Sequence, residues 1–415
     1  MVGTSGIQRT LRFAQYLPEF GWRPVVLTAS VGAFEPTDLA SLREVPPGCE
    51  VVRAPCFDAA RHLSVRGRYP AAFALPDRWA SWRVAAGWLG ARAARRSGAQ
   101  AVYSTYPIAT AHLIGDAVAR RTGLPWIADF RDPMAQEGYP ADPRTWRAFK
   151  AVEERVVARA AGLAFASPSA CRMYQARYPQ AAARCSTIEN GYDESSFAGI
   201  VRRAADPGVS GAQSAPDGRG GAEARPLVLL HSGIVYPSER DPTALFQALS
   251  TLSASGAVRS RTLRLRFRAP VHDGLIRSLA ARFGVEGFIE VLPAVSYREA
   301  LQEMADVDGL MVLQGANCNE QIPAKLYEYL RAGRPVLGLA DPAGDTGATL
   351  RSAGVEHVAA LESADAVGAM LGRFVDALRQ GRVTAPPAEA VQAMSRRERT
   401  RQLAALLDRA VSTPA

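Results

Sequence analysis

Lysine is nearly absent from this chain. Of its 49 basic residues only Lys150 and Lys325 are lysine, and the rest are arginine. Cysteine is scarce too. Cys49, Cys56, Cys171, Cys185 and Cys318 are odd in number, scattered, and form no CxxC pair. That excludes a zinc knuckle and a disulfide framework, and it fits a reducing cytosol. No apolar run reaches the roughly 18 residues that would suggest a membrane-spanning helix. The opening "MVGTSGIQRT" lacks the apolar stretch and cleavage pattern of a secretory signal. GxGxxG and the P-loop are missing, which argues against a nicotinamide enzyme or an NTPase. HExxH and GxSxG are missing as well.

What is present describes a folded protein: 48% hydrophobic and 21% charged residues. A length of 415 residues suggests two domains. Short apolar runs alternate with helical patterns twice. The first series of strands is Val25–Thr28, Val51–Ala54, Ala101–Thr105, Trp126–Phe130 and Leu163–Ala166. Helices are expected at Ile7–Tyr16, Ala109–Arg121 and Arg144–Ala161. The second series is Leu227–His231, Leu263–Phe267, Phe288–Leu292, Gly309–Leu313, Pro335–Leu339 and Glu356–Ala359. Its helices are expected at Pro242–Leu252, Asp273–Phe283, Tyr297–Ala305 and Ala324–Ala332, with a helical tail from Ala388 to Ala410. Such alternation predicts an α/β protein with two Rossmann-like domains, their parallel sheets facing a cleft. The expected divisions are a first domain at 1–197, a flexible low-complexity linker at 198–226, a second domain at 227–387, and a C-terminal helix at 388–415 packing back toward the first domain. One strand is missing. "MVGTSG" cannot form the buried strand that should precede the helix at Ile7. Either the domain lacks it or Met1 is an internal methionine, and the second reading is favoured because neighbouring strands would otherwise expose unpaired backbone.

The net charge is +9. Between Arg61 and Arg96 eight arginines face one acid, Asp77, and Trp79, Trp82 and Trp88 lie among them. This mixture suits an anionic membrane surface; a solvated arginine-rich helix is the alternative. No nucleic-acid motif accompanies the charge.

The richest segment is "NCNEQIPAKLYEYLRAGRPVLGLA". A strand should end near Leu313, a loop carries Glu320, Pro323 suits the first helical position, and Gly333 ends the helix. Lys325 then falls in the first turn, where the macrodipole disfavours a cation. A phosphate at that helix end would reverse the sign, and an ordinary solvated lysine is the alternative.

Glu320, seven intervening residues and Glu328 resemble the E-x7-E motif of retaining GT-B glycosyltransferases of the family 4 type. "GTSGIQRTLRFAQYLPEFGWRPVVLT" resembles the acceptor-domain opening of that family, and "IENGYDESSF" the segment that closes its first domain. "VYSTYPIATAHLIGDAVARRTGLPWIADFRDP" and "HSGIVYPSERDPTALFQAL" match further segments. The resemblance covers nearly the whole chain outside Ala198–Arg225.

The resemblance implies a nucleotide-sugar donor and a lipid-linked or polysaccharide acceptor, in cell-surface polysaccharide synthesis. It implies no metal, no other cofactor and no nucleic acid. Glu328 would bind ribose hydroxyls, and Glu320 would contact the donor sugar. Lys325 and Arg240 would face the diphosphate, with Gly233 permitting its close approach. Pro323 and Leu326 would line the same donor site. Gly3 and Gly6 would form an acceptor-side loop. Asp132 or Asp129 would supply the acidic group of the first domain, or both would cap the following loop. His231 and His112 read as structural. The implied location is the cytoplasm, peripheral to the inner membrane face. The alternatives are a UDP-N-acetylglucosamine 2-epimerase-like enzyme and a truncated non-catalytic nucleotide-sugar-binding protein.

Overall fold

A computed structural model describes residues 7–33, 44–62, 74–202 and 225–412. Gly3, Gly6 and most of the predicted linker lie outside the described residues. The chain divides into two compact units: 1–190 together with 396–415, and 191–395.

In the first unit, β1 (Val25–Ala29) pairs in parallel with β2 (Glu50–Ala54). A separate parallel sheet holds β3 (Val102–Thr105), β4 (Trp126–Arg131), β5 (Gly162–Phe165) and β6 (Cys185–Thr187), in that order. Among the described residues nothing pairs with the second edge of β1 or of β3. Val25, Val26 and Leu27 are only half-buried in consequence, as are Val102 and Tyr103. The described strands of this unit thus form two separate sheets, and the residues ahead of Ile7, where a strand was expected to be missing, lie outside the described ones. β6 went unpredicted, being only three residues long.

Two helices pack closely over this unit. Gly90, in the helix Trp82–Ser97, has no room for a side chain, because a Cβ there would lie 2.7 Å from Val118 and 2.8 Å from Leu27. Beneath, Phe13, Ile127, Ala164 and Ile188 form a core with Leu403, Leu406 and Leu407 of the helix Arg396–Ser412.

The second unit is one parallel sheet of six strands: β7 (Leu227–Ser232), β8 (Leu263–Arg268), β9 (Ile289–Leu292), β10 (Gly309–Leu313), β11 (Val336–Leu339) and β12 (Val358–Ala359). Their spatial order is β12-β11-β10-β7-β8-β9. β7 and β10 are neighbours in the middle, and the chain order reverses there, which is where such sheets bind ligands.

Three details differ from the sequence reading. The tail is two helices, Ala388–Gln392 and Arg396–Ser412, parted where Ser395 bridges to Tyr192. The first of them belongs to the second unit and the other to the first. Tyr192 and Phe197, in the segment read as closing the first domain, are buried against the core of the second unit and meet edge-to-face at 6.2 Å. That contact sets the unit boundary at 190/191 instead of 197. The helices Pro168–Arg177, Asp345–Ser352 and Ala364–Arg379 were not anticipated.

Candidate functional site

The site is assembled at the carboxyl ends of β7 and β10. β7 ends at Ser232, and Gly233 turns the chain with φ of +113°, a conformation that favours glycine. The helix Lys325–Ala332 then presents residues one turn apart to this turn. Lys325 Nζ donates to the Ser232 carbonyl. The Tyr329 hydroxyl accepts from the Ser232 amide at 2.6 Å. Lysine and tyrosine therefore hold the two successive peptide groups that flank Ser232.

Gly233 was expected to admit a diphosphate. In the structure the atom that comes close is Lys325 Nζ, which a Cβ on Gly233 would approach to 2.2 Å. Burial pushes the Lys325 ammonium down to about 7, Arg240 adds to the shift, and Glu328 opposes it. Arg240 is a neighbouring cation, its Nη1 donating to the Ile234 carbonyl at 2.8 Å and its guanidinium lying 5.2 Å from the Tyr236 ring. His231, beneath, is buried with Nδ1 3.1 Å from the Met311 carbonyl. Burial, then Lys325 and Arg240, hold it well below its ordinary pKa, hence neutral. Its structural reading fits this position.

Glu328 is half-buried three residues after Lys325, and its carboxylate accepts from the Tyr297 hydroxyl at 2.9 Å. Glu320 is half-buried on the loop after β10. That loop is tied to the one bearing Arg240, because Gly315 N donates to the Glu239 carbonyl at 2.6 Å and Asn317 Nδ2 to the Ser238 carbonyl at 2.9 Å. The structure thus brings Gly233, Arg240, Lys325 and Glu328 to one strand end, with the Glu320 loop fastened beside them. Two cations can meet a diphosphate, and a carboxylate can accept hydrogen bonds from the two hydroxyls of a diol.

Pro323 is not the first helical residue. It closes a turn by accepting from Leu326 N at 2.9 Å, and the helix begins at Lys325. Leu326 is fully buried in the core of the second unit and does not line the site; it supports the helix from below. Tyr297 and Tyr329 were missed. Tyr329 is four residues from Lys325, a spacing that signals a shared face. Nothing in the sequence links Tyr297 to Glu328.

In the first unit Asp129 is fully buried. Arg9 donates to it through Nε at 2.8 Å and Nη2 at 2.9 Å, Tyr103 at 2.6 Å and Thr105 at 3.0 Å. Burial alone would raise its pKa, but Arg9 outweighs burial and the carboxyl sits below the usual range. Its oxygens are spent inside the domain, which removes it as a substrate-facing residue. Asp132 is half-buried just beyond, after Arg131, whose φ is +58°. His112 is buried with Nδ1 2.8 Å from Ser104 Oγ, and burial pushes its pKa down to about 4, a structural neutral histidine.

The basic stretch also resolves. Trp82 is buried and Trp79 half-buried, donating to the Ala33 carbonyl at 3.0 Å, so of the three tryptophans Trp88 alone is exposed. It shares the outer side of its helix with Val84, Arg92 and Arg95. No described helix is long and apolar enough to cross a membrane.

The family model for the glycosyl transferase 4-like domain matches residues 5–191. The match spans nearly all of the first stretch of the first unit, which thus resembles a glycosyl transferase 4-like domain. Solved structures extend the likeness over the whole chain. A glycosyltransferase from Rickettsia africae has a TM-score of 0.66 at 12% identity, covering 100% of this chain and 98% of its own. HepE from Anabaena, in complex with UDP and glucose, has a TM-score of 0.62 at 14% identity, covering 98% and 96%. Sucrose-phosphate synthase from Thermosynechococcus elongatus has a TM-score of 0.62 at 12% identity, covering 93% and 99%. No curated protein matches the chain in sequence. The fold of the chain is GT-B, in keeping with the sequence resemblance.

Proposed function

We propose that this glycosyl transferase 4-like protein moves a sugar from a nucleoside diphosphate sugar to a hydroxyl of a lipid-linked or polysaccharide acceptor, with retention and without a metal ion. The observation that carries the reading is the grip of Lys325 on Ser232 and Gly233, beside Arg240 and Glu328. In this reading Lys325 and Arg240 meet the diphosphate, so charge developing on the leaving group is stabilised by groups already in place. Glu328 binds the ribose diol. Glu320 stabilises positive charge at the anomeric carbon, and Asp132 assists the acceptor hydroxyl. HepE was solved with UDP and UDP-glucose, which makes UDP-glucose the first donor to try. The exposed side of the helix Trp82–Ser97, with Trp88 among arginines, supports a peripheral contact with an anionic inner membrane face.

The test is incubation with radiolabelled UDP-glucose and other nucleotide sugars, together with membrane lipid extract. Label passing to lipid, and lost in Glu320→Ala and Glu328→Ala, supports the proposal. Isomerised free sugar nucleotide would point to an epimerase instead.

The donor site carries its own pH signature. Lys325 has a pKa of about 7 in the free protein. A bound diphosphate favours the charged ammonium and raises that value. Donor affinity should therefore be highest below about pH 7 and fall as the pH rises, with a proton taken up on binding near pH 8. Calorimetry in buffers of different ionisation enthalpy reads this uptake directly, and it should vanish in Lys325→Met.

Tyr297 offers a milder test. Tyr297→Phe removes one hydrogen bond to Glu328 and keeps the ring. The dissociation constant for UDP-glucose should rise about three- to tenfold. Affinity equal to wild type would show that Glu328 needs no such support.

A further inference from the structure

Glu153 is a fully buried carboxylate in the first unit, and it collects five donors. They are the Tyr174 and Tyr178 hydroxyls, Arg177, Lys150 and the backbone amide of Ala135. A buried charge with this much support is expensive, and stability alone is a weak reason to keep one. Its contact outside the helices is with the loop that follows β4. The same side chains hold that loop again: Met134 N donates to the Tyr174 hydroxyl at 3.0 Å, and Arg177 donates to the Ala135 carbonyl at 2.8 Å. Trp146 Nε1 donates to the Gln136 carbonyl at 2.8 Å, and Gln136 and Tyr139 exchange backbone hydrogen bonds of 2.9 and 3.3 Å.

The loop begins at a strained place. Arg131 has φ of +58°, and the register of β4 against β5 shifts between Asp129 and Arg131. Strain at a sheet end, held by so many contacts, is a pattern found at ligand sites. The loop stands at the carboxyl end of β4, where parallel sheets bind their ligands. At its tip Tyr139 is 55% exposed, and its side chain lies near enough to the buried Tyr106, which follows β3, to help burial raise the pKa of that phenol. An open aromatic side chain is thus fixed at its backbone, with Asp132 at the base of the same loop.

We propose that the loop Asp132–Pro140 is a saccharide-binding platform, with Tyr139 stacking on the C–H face of a sugar ring and Asp132 accepting from one of its hydroxyls. In the transferase reading above, on which only this assignment rests, that saccharide is the acceptor. A sugar ring pairs an apolar face with a rim of hydroxyls, which an aromatic plate and a carboxylate on one loop match. An acyl chain needs a contiguous apolar patch, and Glu137 and Gly138, both exposed, interrupt one here. Fixing the ring beforehand lowers the ordering cost of binding.

Saturation-transfer NMR on the full chain tests this, with methyl α-D-mannopyranoside, methyl N-acetyl-β-D-glucosaminide and submicellar octyl β-D-glucopyranoside as probes, and octanol as control. The ring protons of at least one sugar should saturate in the wild type. Tyr139→Phe should retain most of the signal. Tyr139→Ala and Tyr139→Leu should each weaken binding about tenfold. Tyr139 is exposed, so the melting curves of these variants should overlay the wild type. Equal saturation in wild type and Tyr139→Ala, no saturation by any sugar, or octanol saturating as strongly as a sugar would each overturn the platform. UDP is titrated calorimetrically in the same samples. Sugar binding without UDP binding would sink the transferase reading and leave the platform standing. UDP binding without sugar binding would do the reverse.

Discussion

Gly233→Ala is expected to lower affinity for UDP-glucose by roughly 100-fold while the second unit stays folded. The added Cβ would lie 2.2 Å from Lys325 Nζ and 3.2 Å from its Cε. The end of a lysine is flexible, so the clash itself is relieved cheaply. Relief has a consequence, however: the ammonium leaves the Ser232 carbonyl and the place from which it would meet a phosphate. The φ of +113° adds backbone strain on the order of 1–3 kcal/mol for a residue with a side chain. Two variants separate these causes. If the effect runs through Lys325, Gly233→Ala in a Lys325→Met background should cost little further affinity, because neighbouring sites couple. Calorimetric titration of the two single variants and the double one reads the coupling. A Gly233→Ala protein with full affinity would remove Lys325 from the donor site.

The second large effect concerns stability. Arg9→Met should destabilise the first unit by about 3–5 kcal/mol, because it strands a buried carboxylate. Arg9 also donates to the Ile188 carbonyl at 2.7 Å and the Glu189 carbonyl at 2.9 Å, so two acceptors lose their partner along with Asp129. For a unit of this size the melting temperature should drop roughly 10 °C. The dependence on pH has a definite sign. In the wild type Asp129 is held below its ordinary range, so its stabilising contribution is present above the unfolded pKa and lost as the pH falls. Without Arg9, burial raises the same carboxyl, and taking up a proton then relieves the variant. The gap between wild type and variant should narrow on acidification from about pH 7 toward pH 5. Arg9→Met with Asp129→Leu should recover much of the loss. A gap that widened in acid would show that the lost carbonyl contacts, not the stranded charge, dominate.

Sequence patterns carried far in the second unit and less far in the first. Buried parallel strands such as Gly309–Leu313 are continuous apolar runs, and the strands expected from such runs formed within a residue or two of their limits. Lys325 was legible because a chain that avoids lysine kept one in a helical first turn. Its partner Gly233 was legible as a glycine at a strand end, but not what approaches it, since that contact joins positions 92 residues apart in the chain. Tyr297 and Glu328 are likewise joined only by the fold, across 31 residues. Asp129 misled for an electrostatic reason: an acid at a strand end looks the same whether it faces solvent or meets an arginine 120 residues away.

The helix Arg396–Ser412 completes the core of the first unit through Leu403, Leu406 and Leu407. On the ribosome these leucines emerge only after all of Gly191–Ser395 has been made. At about 5–20 residues per second, Ile188 waits on the order of 10–40 s for this cover, and Ile127 and Phe13 wait longer still. The second unit is continuous in the chain, Gly191–Ser395, and needs no such wait. The half of the chain translated first is therefore the half whose core closes last.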